Sequence, residues 1–106
     1  MQGSPTAFGL VVRFTVRPGA ESDFDALVRR TVALIHAEEP DTLIYNCHHV
    51  DGADRQWIFY ELYRDRAAFD AHEQQDHVKR FLAEREALLE STEVHFLRPG
   101  YTNVEL

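Results

Sequence analysis

The chain has one cysteine, Cys47, so it can close no disulfide of its own. No basic residue stands beside Cys47 to draw its thiol toward the thiolate, so it is read as a small buried hydrophobe. No apolar run approaches the roughly 20 residues that a membrane-spanning helix needs. Positive charge is scarce, with 11 Lys and Arg against 18 Asp and Glu and a net charge of −7. Nucleic-acid affinity rests on clustered cations that neutralise phosphates, so neither DNA nor RNA is expected as a partner. The opening Met1-Gln2-Gly3-Ser4-Pro5-Thr6 lacks the basic region and apolar core of a secretion signal, and a cytoplasmic location is the expectation. Six histidines invite a metal ion, yet no His-x-x-x-His or cysteine-rich spacing sets two ligands on one element. His48 and His49 are neighbours on a predicted strand and face opposite ways, so no metal is expected.

What is present is a core. Hydrophobic residues make up 44% of the 106 positions and include seven Phe, four Tyr and one Trp, enough for a single compact domain over residues 1–106. Residues 1–7 are expected to be a flexible N-terminus and residues 100–106 a tail.

From Phe8 to Arg17 apolar residues alternate, with Phe8, Leu10, Val12, Phe14 and Val16 on one face, which predicts a strand ended by Pro18-Gly19. A helix opening at Glu21 or Ser22 and running to about Glu39 follows, with Phe24, Leu27, Val28, Thr31, Leu34 and Ile35 as its stripe and Pro40 as its stop. Strands are predicted over about Thr42–Val50 and Gln56–Arg64, joined by a hairpin at Asp51-Gly52-Ala53-Asp54. Asp65 is placed to cap a helix over Arg66–Gln74. Asp76 is placed to cap another reaching Leu89, its inward stripe being Val78, Phe81, Leu82, Arg85, Leu88 and Leu89. A last strand runs from about Thr92 to Arg98. The order strand, helix, strand, strand, helix, strand predicts an α+β, ferredoxin-like split βαβ domain with a four-stranded antiparallel sheet and helices on one face. The uncovered face, assigned to Val11, Ile44 and Phe96 or their neighbours, suits burial in a homodimer.

Leu43-x-Tyr45, then Phe59-Tyr60-Glu61-x-Tyr63-x-Asp65-x-x-Ala68-Phe69-x-x-His72 and His77 resemble the antibiotic biosynthesis monooxygenase domain over about Phe8–Leu97. The resemblance implies a dimeric α+β barrel with a cavity in each subunit between sheet and helices. It further implies a cofactor-free oxygenase acting with molecular oxygen on a quinol or an aromatic polyketide. The family's haem-degrading branch carries an Asn in the first strand, a Trp at the end of the third and a His ligand in the helix after it. This chain has Val12, Tyr63 and Leu82 there, so no haem is expected, and the resemblance to cofactor-free oxygenases implies no other cofactor.

The candidate catalytic residues are His77 and Glu61. Glu61 stands in an otherwise apolar strand, where burial would raise its pKa and suit it to acid–base work, unless an arginine such as Arg13 neutralises it. His77, which matches the family's histidine, can take a phenolic proton or orient a carbonyl, or can simply cap or pack its helix. Tyr45, Trp57, Phe59, Tyr63 and His72 are the candidate substrate-binding residues, the aromatics as flat walls for a small aromatic ligand and His72 as a border of the same cavity, the alternatives being core packing for the aromatics and a hydrogen-bonded structural role for His72. The leading reading is a cofactor-independent monooxygenase of a quinol or related phenol. The alternatives are an isomerase of a small carbonyl compound and a non-catalytic dimeric ligand-binding or accessory protein. A cavity bordered by both Glu61 and His77 would speak for an enzyme, and a filled interior for the accessory role.

Overall fold

Alternation in the first strand decides which side of the sheet is covered. In the computed structural model, which describes residues 6–104, β1 (Phe8–Val16) buries Leu10, Val12, Phe14 and Val16 on one face. Residues 1–5, and with them most of the predicted flexible N-terminus, lie outside the described residues, as do residues 105–106 of the predicted tail. β1 is central, paired antiparallel with both β3 (Ala53–Tyr63) and β4 (Leu89–Leu97), while β2 (Thr42–Val50) pairs with β3. The order β2-β3-β1-β4, interleaved with helices α1 (Glu21–Glu38), α2 (Arg66–Glu73) and α3 (Asp76–Arg85), is the ferredoxin-like α+β fold that the sequence predicts.

α1 turns Phe24, Leu27, Val28, Thr31 and Ile35 inward, while Leu34, expected with them, is half-exposed. No side chain caps its start, but Glu21 and Asp23 in the first turn complement the helix dipole. At the other end Glu39 leaves the helix, its backbone N–H still donating to the Ile35 carbonyl, and Pro40 prevents another turn. The carboxylate of Glu39 is thereby turned into the interior, where the residue is 8% exposed.

Three boundaries differ from expectation for local reasons. The hairpin turn is Asp51-Gly52 alone, because Gly52 takes a φ of +78° and Ala53 already pairs with Val50. Asp76 is the first residue of α3 rather than its cap, a position held by Gln75. α3 stops at Arg85 because β1 captures the chain beyond it: Arg17 donates its backbone N–H to Leu88 O and its Nε to Leu89 O, and Leu89 pairs with Val16. Asp65 does cap α2, Oδ1 accepting the Ala68 N–H at 2.8 Å.

Among the described residues no helix covers the outer face of the sheet. Val11 and Ile44 lie on it, but Phe96 does not: it pairs with Leu10 and lies against Phe8 and Phe69 on the helix side, while its neighbour Leu97 takes the outer position. On the covered face Phe14, Phe24, Phe59 and Phe81 form one ring cluster, tightest between Phe14 and Phe59 at 4.7 Å and 82°. Phe59→Ala is expected to cost about 4 kcal/mol and Asp65→Ala about 1 kcal/mol in urea unfolding, with the denaturant slope unchanged.

Candidate functional site

Next to the ring cluster the packing between sheet and helices is incomplete, leaving a cavity of about 130 Å³. Its walls are apolar, from residues such as Leu10, Val12, Val78 and Leu82, and five groups interrupt them: Tyr45, Glu61, His72, Glu73 and Arg85. Strand register explains the first two. Tyr45 of β2 stands opposite Glu61 of β3, which stands opposite Leu10 of β1, so all three project to the helix side. A register shift between Thr42 and Ile44 sets Tyr45 into this row.

Glu61 is 5% exposed, and the Tyr63 hydroxyl donates to its Oε1 at 2.6 Å. Burial pushes its carboxyl above the ordinary glutamate value, against the hydrogen bond from Tyr63 and the charges of His72 and Arg85, which pull it down. Arg13 is not its partner: it donates to Gln56 Oε1 at 2.8 Å from the outer face. Arg85 is the cation at the cavity, its guanidinium lying 5.3 Å from the Phe14 ring centroid and 5.6 Å from that of Phe81. Burial lowers its hold on the proton, against support from Tyr45 and Glu61. Burial and the charge of Glu61 also raise Tyr45 well above the usual phenol value and push the Cys47 thiol up to about 12. Cys47, expected to be buried, is only partly so.

Behind the cavity lies a second buried carboxylate. Glu39 Oε1 accepts from His72 Nδ1 at 2.6 Å and from the Thr42 hydroxyl at 2.7 Å, and Oε2 accepts from His77 Nε2 at 2.5 Å. The other ring nitrogen of His77, Nδ1, is 3.4 Å from Glu38 Oε2. Burial by itself would raise Glu39, but hydrogen bonds from His72, Thr42 and His77 and the charge of His72 hold its carboxyl below the ordinary value.

Of the residues expected to bind substrate, Tyr45 and His72 line the cavity, together with Glu61. Trp57, Phe59 and Tyr63 sit behind it. Trp57 packs on His49 at 3.8 Å and on Phe24, Phe59 is enclosed in the ring cluster, and Tyr63 reaches the site only through its hydroxyl on Glu61. His77 is not on this cavity. It lines a groove between α1 and α3 and is joined to His72 through Glu39. Two residues were not singled out from sequence, Glu39 and Arg85. The available signals were an acid directly before the helix-stopping Pro40 and a charge inside an apolar helical stripe.

The antibiotic biosynthesis monooxygenase family model matches residues 7–84, and the chain belongs to this family. A solved structure from Pseudomonas aeruginosa is 28% identical and covers 91% of this chain and 97% of its own, with a TM-score of 0.81. One from Mycobacterium tuberculosis is 24% identical and covers 93% and 100%, with a TM-score of 0.86. A third, from Caulobacter crescentus and provisionally named an antibiotic biosynthesis monooxygenase, is 21% identical and covers 89% and 90%, with a TM-score of 0.83. No protein of curated function matches the sequence. Among the described residues no helix is long and apolar enough to cross a membrane.

The two carboxylates give opposite pH signatures. Glu61 binds its proton more tightly folded than unfolded, so it removes stability as pH rises from about 4.3 through its folded value. Glu61→Gln is therefore expected to gain stability relative to wild type across that window. Glu39 contributes stability that is complete above about 4.3 and lost as pH falls through its lower folded value. Glu39→Ala should cost about 3 kcal/mol near neutrality, with the deficit shrinking in acid. Urea titrations repeated across pH check both signs.

Proposed function

We propose that the protein is a cofactor-independent monooxygenase that oxidises a quinol or a related small phenol with molecular oxygen. The observation that supports this reading best is a small apolar cavity holding a buried carboxyl and a guanidinium at its edge, Glu61 and Arg85. Such chemistry needs a dry ring-binding pocket, acid–base groups to handle the phenolic proton, and a cation for the phenolate. The phenolate supplies the electrons: one oxygen atom of O2 enters the ring, the other leaves as water, and the quinol is left as a hydroxylated quinone. Tyr45 and His72 then hold the substrate directly, and Glu61 with His77 belongs to the acid–base machinery, His77 acting from behind the cavity wall. At about 130 Å³ the cavity is well below the range of about 300–1,000 Å³ usual for drug-sized ligands, which favours a single-ring substrate over a polycyclic one.

The outer face, with Val11, Ile44 and Leu97, carries no helix among the described residues, only the segment 98–104 beside Ile44 and Leu97, and supports a homodimer formed sheet to sheet. Oxygen consumption by the metal-stripped protein with a panel of hydroquinones tests the assignment. Uptake above the spontaneous rate is expected, with kcat/KM about 100-fold lower in Glu61→Gln. Absence of any protein-dependent uptake across the panel would overturn it and leave an isomerase or a non-catalytic ligand-binding protein as the reading.

A further inference from the structure

We propose that His72 is the catalytic base of this cavity and Glu39 the residue that positions it, an assignment that rests on the acid–base reading of the site given above. Three observations lead to it. His72 is at once a wall of the cavity and a hydrogen-bond partner of Glu39, so it joins the two buried carboxylate environments. Its Nδ1 is committed to Glu39 at 2.6 Å, and a carboxylate can only accept, so Nδ1 carries the hydrogen and Nε2 the lone pair. Nε2 has no hydrogen-bond partner among the described residues, and no fully enclosed side-chain nitrogen or oxygen among them lacks a partner, so Nε2 opens onto accessible space. We take that space to be the cavity, which has His72 in its wall.

Buried base, accepting carboxylate and free second nitrogen form the base–orienter pair of nucleophilic and proton-transfer sites. Glu39 is well suited to the orienting role because its position is fixed from several directions. Thr42 and His72 hold one oxygen and His77 the other, and the helix ends at this residue. Around His72 stand Glu39, Tyr45, Glu61 and Tyr63, and Glu73 and Arg85 line the same cavity. Around His77 stand Glu38, Asp76, Arg30, Arg80 and Glu84, which line its groove. In the step itself the substrate O–H breaks, the proton bonds to His72 Nε2, and the electron pair stays on the phenolate oxygen. The imidazolium so formed donates from Nδ1 to the Glu39 carboxylate, and no other reagent is consumed. The same pair would draw a proton from the carbon next to a carbonyl, so the assignment does not depend on oxygen chemistry.

Nitrogen-15 NMR of the histidine rings tests the geometry on the wild-type protein without any substrate. The neutral His72 ring is expected as the Nδ1–H tautomer. In Glu39→Gln, whose amide can donate to Nδ1, the population should move toward the Nε2–H tautomer. An Nε2–H tautomer for His72 in wild type would overturn the assignment whether or not the protein consumes oxygen. With an active substrate in hand, Glu39→Gln should lower kcat by about 10²–10⁴-fold with KM nearly unchanged, as expected for a base held in the wrong tautomer. His72→Ala should lose activity and regain part of it with added imidazole. Full activity of folded His72→Ala would also overturn the proposal, while leaving the monooxygenase reading itself standing.

Discussion

Two carboxylates that a small domain would ordinarily leave in water are buried in it, and their surroundings pull them in opposite directions. Glu39 is met by three hydrogen-bond donors and held as an anion, whereas Glu61 is met by one hydroxyl and apolar walls and so resists ionisation. Burying a charge without partners is so unfavourable that the group shifts its protonation instead. Separation of this kind between neighbouring acids is how a single site keeps one group charged and another ready to exchange a proton. His72 stands between the two, bonded to Glu39 and close enough for its charge to act on Glu61.

The arrangement follows from the topology. β3 is interior in the sheet, so Glu61, on its covered face, has no route to bulk water except through the cavity. The break at Glu39-Pro40 brings the end of α1 against α2 and α3, and the short α2 presents Ala68, Phe69 and His72 on its inward side. α3 ends one turn early, which brings the guanidinium of Arg85 over the ring cluster at the cavity edge. Ring packing thus supplies rigidity on one side of the site, and incomplete packing on the other leaves room for a ligand.

Much of the fold was legible in the sequence because period-two and helical stripes leave little choice once their order is known. β1 was readable from alternation, β2 from its run into the Asp51-Gly52 turn, and α2 from its cap Asp65. The start of β4 was not, because Leu88 and Leu89 extend a helical stripe and only the long-range pairing with Val16 and Arg17 turns them into strand. Which of Phe96 and its neighbour Leu97 faces outward was open for the same reason, since the register of β4 is set by β1 and not by its own neighbours. At the site, the residues on one strand face were predictable as a group, but which of them border empty space was not. Trp57 and Phe59 share a face with Glu61, yet α1 covers them and leaves the far end open. The link from His72 through Glu39 to His77 joins side chains more than 30 positions apart. Such contacts depend on how helices dock, which no local pattern encodes.

The central claim is that these two buried glutamates are held on opposite sides of the ordinary carboxylate value. Carbon-13 NMR titration of the side-chain carboxyls measures it directly, with Glu39→Gln and Glu61→Gln supplying the assignments. The account predicts that Glu39 titrates below, and Glu61 above, the exposed glutamates of the same protein. A common midpoint for the two, or the reverse order, would contradict it.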